Sequence, residues 1–362
     1  MGDPAADNFA PPPPTLSSSR LRRRLFELGA AVLLIIAVIT LVPGLASLRT
    51  RLAHGNAAWL SLGAALKILS GVGYVAVFRS VFCRRMRWRV SAEIGFSELG
   101  ANAVLPVGGA GGLALGAWAL RRGGMDVARI ARRSVAFFLL TSVPNITGVI
   151  VVGIGLATGV FPGHASLALS LGPALVAAGA VVVAIKAGRW AASLEQRVAD
   201  RRGESSRLAK VLRALAGGVD EALALLRERD PWLLAGLFAY LFFDVQILWA
   251  TFHAFGSAPP LAIIWIGYLI GELGGLIPLP GGIGGVDLGL VGALVVYHVP
   301  VGAATAAVLG YRALALLVPT VLGGVAFVLL RRSLAREALD ISSCGPGEQV
   351  EIIGRGTVQL TQ

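Results

Sequence analysis

The chain reads as an all-α polytopic membrane protein, with about six full transmembrane helices and two re-entrant broken-helix hairpins in inverted-repeat halves. Three observations lead there. Of its 362 residues, 56% are hydrophobic and 14% charged, and apolar runs long enough to cross about 30 Å of hydrocarbon recur from Leu25 onward. Two stretches broken by glycine and proline repeat one order of residues. The basic residues gather on alternate loops.

Taken in order, residues 1–19 contain "PPPP" and "SSS", a tail composition that cannot bury a core, and are expected to be disordered. The run Leu25–Leu45 follows Arg20, Arg22, Arg23 and Arg24 and so resembles a signal peptide. It is long, however, and no small-residue cleavage site follows cleanly, so a retained first span is expected. Five further spans are expected at Ala57–Phe82, Ile130–Val160, Ser166–Ile185, Pro231–Phe255 and Val301–Leu330. Val90–Leu120 and Pro260–Tyr297 each hold two short apolar segments interrupted by Pro and Gly. Half-segments of about 14 to 17 residues rise only about 21 to 25 Å, too short to cross comfortably, so each pair should enter, break and leave on one side.

Charge sets the expected orientation. With the N-terminus inside, only Arg49 and Arg51 of the 32 basic residues fall outside, while Lys67 and Arg312 lie within spans. Both termini and residues 337–362 are then cytoplasmic, in the inner (plasma) membrane of the cell. The net charge of +12 is a topology signal; no basic and aromatic interleaving of a nucleic-acid surface is present.

The stretch "SELGANAVLPVGGAGGLALG" (97–116) matches "GELGGLIPLPGGIGGVDLG" (271–289) in Glu-Leu-Gly, Leu-Pro and Gly-Gly-x-Gly-Gly. Each copy sits in the same plan of span, span, broken hairpin, span. On the charge reading the first hairpin, 90–120, opens from the cytoplasm and the second, 260–297, from outside. The halves, 20–160 and 165–335, are therefore expected to be inverted, as in transporters whose broken helices meet near the midplane. Irregular backbone at that depth is tolerated where it lines a site.

The chain resembles the transmembrane region of lysylphosphatidylglycerol synthase and its stand-alone, flippase-like relatives. The likeness runs from the first span to the sixth and is most specific at "PLPGGIGGVDLGLVGALVVYHVP" followed by "AAVLGYRALALLVP". It carries over Pro278, Pro280, Gly281, Gly282, Gly284, Asp287, Tyr311 and Arg312. Asp287 stands where the family's usual acid is Glu, and the first motif lacks the Gly-Glu that often follows its Pro. The resemblance implies moving a lipid, an anionic or aminoacylated phospholipid, between leaflets, beside a separate lipid-synthesising enzyme. A soluble aminoacyl-transfer domain has no room after Leu330, which argues against synthesis by this polypeptide.

Charges inside the membrane mark the candidate substrate site independently. Lys67, Asp244 and Arg312 lie about 15 to 20 Å into their spans at about 1.5 Å per residue. Glu98, Glu272 and Asp287 add acids on the hairpins, and Pro106, Gly108, Gly109, Gly111 and Gly112 form the break of the first. These groups either form structural ion pairs or handle substrate and protons. Arg312 suits a phosphate through its planar fork, and Asp287 or Glu272 suits an aminoacyl amine.

Other chemistries find little support. The four histidines are scattered without HExxH or nearby Cys, so no metal is expected, and neither glycine-rich stretch continues into the Lys-Ser/Thr of a P-loop, so no nucleotide or other cofactor is expected. No nucleophile has a base beside it, and an enzyme is not expected. Cys83 and Cys344 fall on the cytoplasmic side, where no disulfide is needed. In the link 189–229, Leu208, Val211, Leu212, Leu215, Val219, Leu223 and Leu226 recur at helical spacing among basic residues. It reads as an amphipathic helix or helical hairpin, either joining the halves at the interface or docking a partner enzyme or anionic lipid. The leading expectation is a lipid transporter; the alternative is a non-transporting, lipid-binding accessory subunit.

Overall fold

The computed structural model describes residues 54–104, 110–163, 166–202, 207–272 and 285–342. The expected tail 1–19, the first span Leu25–Leu45 and residues 343–362 lie outside them. The described residues form ten helices and no strand: α1 Ala57–Phe82, α2 Trp88–Val104, α3 Ala110–Arg122, α4 Val127–Ala157, α5 Leu167–Arg202, α6 Arg207–Glu228, α7 Pro231–Phe255, α8 Leu261–Glu272, α9 Gly285–Val296 and α10 Val301–Ser342. Five of them, α1, α4, α5, α7 and α10, are long and apolar enough to cross a membrane, and the protein is a multi-pass membrane protein.

Local chemistry explains where several helices start. Asn56 caps α1 by accepting the Ala58 N–H, Asp126 caps α4 by accepting from Ala128 and Arg129, and Asp230 caps α7 ahead of Pro231. Helix ends follow hydropathy less closely. α5 continues past the expected Ile185 to Arg202, and α10 past Leu330 to Ser342, because the sequence beyond each apolar run stays rich in helix-forming Ala, Leu, Arg and Glu. At about 1.5 Å per residue α5 is roughly 54 Å long, well beyond a hydrocarbon core. α6 turns back and packs on α5 and α4, held by Arg213 to Glu195 and by Arg132 and Arg133 to Glu221.

α1 and α7 form the centre of the bundle. They run antiparallel, with Asn56 N–H at the start of α1 donating to Ala254 O near the end of α7 at 2.9 Å. The two backbones meet directly at Gly73 and Gly236: a Cβ on Gly73 would stand 2.6 Å from Tyr240 N, and one on Gly236 would stand 2.9 Å from Gly73 O. Around this pair, α2 packs on α10 and α8 packs on α4. The short helices also pack pairwise, α2 with α3 and α8 with α9.

Two buried apolar clusters fill the bundle. One gathers Phe78, Phe82, Met86, Ile94, Phe137 and Leu233; the other gathers Val245, Leu248, Phe252, Ile264, Leu290 and Leu294. Aromatic rings mark both ends. Trp88 and Trp232 meet at 5.3 Å at one end, and Trp59, Trp249 and His253 group at the other. Trp232 and Trp249 are about 25 Å apart along α7, close to a hydrocarbon thickness. Cys83 is buried and disulfide-bonded, in contrast to the expectation drawn from its side of the membrane; its partner lies outside the described residues.

Candidate functional site

Asp244, in the middle of α7, is the point on which four helices converge. Its Oδ1 accepts from Lys67 Nζ of α1, and its Oδ2 from Tyr268 OH of α8 at 2.6 Å and Tyr311 OH of α10 at 2.8 Å. Ser70 Oγ lies 3.3 Å from Oδ1 and 3.0 Å from Tyr240 O, so its single proton serves one or the other. Side chains of Lys67 and Asp244 are only 13% and 9% exposed. Bringing either charge alone to mid-membrane costs at least about 2.5 to 3.5 kcal/mol, a penalty that pairing and the two tyrosine hydroxyls offset.

A second ion pair stands beside the first. Arg312, next to Tyr311 on α10, places Nε 2.9 Å from Asp287 Oδ1 and 3.1 Å from Oδ2. Asp287 occupies the first turn of α9, where unpaired N–H groups favour a carboxylate. This pair is more open than the first, with side chains 22% and 20% exposed. Glu272 ends α8 and lies within electrostatic reach of Asp244, Lys67, Arg312 and Asp287. Glu272 and Asp287 therefore stand on either side of residues 273–284. Pro278, Pro280, Gly281, Gly282 and Gly284 fall in that segment, outside the described residues.

The packed α2–α3 pair builds a different centre. Glu98 on α2 is buried, accepts from Tyr74 OH at 2.8 Å and lies over Gly116 of α3, whose missing Cβ leaves room for the carboxylate. Gly111 and Gly112 open α3, and Gly112 N–H donates to Asn102 Oδ1 at 2.7 Å. Pro106, Gly108 and Gly109 lie outside the described residues. Among the described interactions Glu98 meets no cation of the Lys67 and Arg312 group. The two centres approach through ring contact between Tyr74 and Tyr240 at 5.6 Å. A cavity of about 10 Å³, room for at most a water, also joins Lys67 and Ser70 to Phe96 and Leu99 of α2.

Of the residues singled out from the sequence, Lys67, Asp244, Glu272, Asp287, Tyr311 and Arg312 come together, and Glu98 stands apart. Sequence reasoning missed Ser70, Tyr74, Asn102 and Tyr268. A hydroxyl in an apolar helix carries no signal until its acceptor is known, though Tyr268 lies four residues before Glu272 and so on its helix face. Among the described residues no group of three or more His, Cys, Asp or Glu is placed to hold a metal ion.

The cluster offers a carboxylate, an amine and a guanidinium at membrane depth, beside a broken helix, which is a constellation able to bind a zwitterionic or anionic head group. A search of curated proteins returns no match to the chain. The family model described as the lysylphosphatidylglycerol synthase TM region matches residues 28–323, which include α2, α3, α8, α9 and every charged residue of the cluster, and the chain belongs to that family.

Proposed function

We propose that this chain is a flippase-like transporter that moves an amphiphilic phospho- or aminoacyl-lipid between leaflets of the inner (plasma) membrane. The observation that carries the reading is the convergence of Lys67, Tyr268 and Tyr311 from three helices on the buried carboxylate of Asp244 on a fourth, with the Arg312–Asp287 pair beside it. Family membership adds an association with lipid handling. In this reading α2–α3 and α8–α9 are re-entrant hairpins of two inverted halves, and both termini are cytoplasmic. Supporting it, the packing is reciprocal: α2 on α10 has its counterpart in α8 on α4, around the antiparallel α1–α7 pair. The head group enters the polar cluster while alternating movement of the halves exposes it to each side. Binding and release suffice, and the chain catalyses no bond change.

Reconstitution into liposomes with fluorescent phosphatidylglycerol and lysyl-phosphatidylglycerol tests this reading, with dithionite reporting arrival in the outer leaflet. Movement that depends on Asp244 and Arg312 is expected. Equal rates in empty liposomes and in liposomes holding the protein exclude it.

One observation favours the second reading, an accessory subunit. Leu208, Val211 and Leu215 of α6 are exposed, on the stretch of α6 that Arg213 ties to Glu195 of α5. If replacing these three by Gln abolished function in cells while Asp244→Asn and Arg312→Ala left it intact, docking and not transport would be the role.

A further inference from the structure

An apolar groove runs along the flank of the bundle, with α4 as one wall and α7 and α8 as the other. Its volume is about 770 Å³, inside the range of about 300 to 1,000 Å³ that holds organic ligands. Leu226 and Leu234 close one end, Phe161 and Leu261 the other, and Thr147 supplies the single hydroxyl of the lining. Since α4 and α7 are long enough to cross the membrane, the groove opens sideways into hydrocarbon.

Charge at one end tells what kind of molecule fits. The turn from α6 to α7, between Leu226 and Leu234, carries Arg227 and Arg229, both exposed, and Arg229 sits at a φ of 51°. The acids of this turn, Glu228 and Asp230, are taken by Arg84 at 2.6 and 3.6 Å. Neither Arg227 nor Arg229 makes an ion pair among the described residues. Trp232, exposed and in contact with Trp88, marks this level as head-group depth. An apolar trough that ends in two guanidinium groups at that depth complements a molecule with an aliphatic chain and a phosphate.

We infer that the groove holds an acyl chain of an anionic membrane phospholipid, with its phosphate on Arg227 and Arg229. The inference rests on the transport reading for its purpose. Leu241 and Trp265 line the groove one helical turn before Asp244 and Tyr268, so a lipid held there waits next to the polar cluster. The site is thus a loading station for lipid from the leaflet at the Trp88–Trp232 end.

The test uses the full chain in phosphatidylcholine vesicles containing a trace of phosphatidylglycerol with a photoreactive diazirine on its acyl chain. Cross-links mapped by peptide mass spectrometry are expected on residues 143–152 of α4 and 261–265 of α8. Val151→Trp, or Thr147→Trp if that variant elutes as aggregate, fills the groove and lowers this labelling about tenfold. Arg227→Gln/Arg229→Gln lowers it about five- to thirty-fold, from roughly 1 kcal/mol per basic residue near an anionic lipid, and leaves labelling by a phosphatidylcholine probe unchanged. Labelling that Val151→Trp and Thr147→Trp both spare, or equal labelling by both probes in the native chain, overturns the inference. Groove labelling without movement of lipid between leaflets removes the transport reading and keeps the binding site. Native transport rates in groove-filled variants that no longer label remove the groove from the pathway and keep transport.

Discussion

Lys67 and Asp244, separated by 177 residues, form an ion pair across the antiparallel α1–α7 contact, and it is the most enclosed charge pair of the candidate site. Removing one member strands the other in a medium that solvates it poorly. Lys67→Met is expected to lower stability by about 3 to 5 kcal/mol, and Lys67→Met/Asp244→Asn to recover most of that loss, since Asn still accepts from Tyr268 and Tyr311. Thermal unfolding in detergent reads both variants. A Lys67→Met protein as stable as the native one would show that the hydroxyl donors alone hold Asp244.

On the transport reading proposed above, Arg312 of the more open Arg312–Asp287 pair would bind the lipid phosphate. Arg312→Lys keeps the charge but loses the planar fork, so lipid movement is expected to fall at least about tenfold while the unfolding temperature stays near native. A purely structural counter-ion behaves otherwise. In that case Arg312→Ala misfolds, and adding Asp287→Asn restores folding and transport together.

Glu98 and Gly116 make a packing prediction in the first hairpin. A Cβ on Gly116 would overlap the Glu98 carboxylate, so Gly116→Ala should cost about 1 to 3 kcal/mol, the usual range for overpacking. Glu98→Ala empties that space, and Gly116→Ala made on the Glu98→Ala background should cost much less. A double-mutant cycle on unfolding midpoints measures the coupling; additive effects would mean that Glu98 swings away freely.

Orientation is tested by labelling with an impermeant maleimide on a Cys83→Ser/Cys344→Ser background. A cysteine at Ser257, after α7, is expected to react from outside in intact cells. One at Gly123, after α3, should react only once the inner face is opened. Outside reaction at Gly123 would make α2–α3 a crossing element and dissolve the inverted-repeat reading.

Hydropathy made some of the fold legible and hid the rest. The expected apolar runs Ala57–Phe82 and Pro231–Phe255 coincide with α1 and α7, because the chain turns polar at Cys83-Arg84 and Gly256-Ser257, while the caps Asn56 and Asp230 that fix their starts emerged only in the structure. α5 and α10 were underestimated because hydropathy records the thickness of hydrocarbon and not the end of a helix. Charge in an apolar setting is costly, and this drew attention to Lys67, Asp244, Glu272, Asp287 and Arg312. Ser70, Tyr74 and Tyr268 carried no such mark, since a Tyr or Ser is at home in an apolar helix with or without a partner. The disulfide at Cys83 was likewise invisible, as two distant cysteines have no spacing that fixes a bridge.

The long separation of Lys67 from Asp244 also sets a clock on the newborn chain. At about 5 to 20 residues per second, synthesis takes roughly 10 to 35 s to pass from one to the other. Throughout that interval α1 exists with its lysine made and its carboxylate partner not yet made, at a depth where an unpaired charge costs at least about 2.5 to 3.5 kcal/mol. α1 therefore cannot settle into its final seat when it is made. It waits with Lys67 turned to water, to the insertion machinery or to an interim acid, and α7 completes a helix that was threaded much earlier.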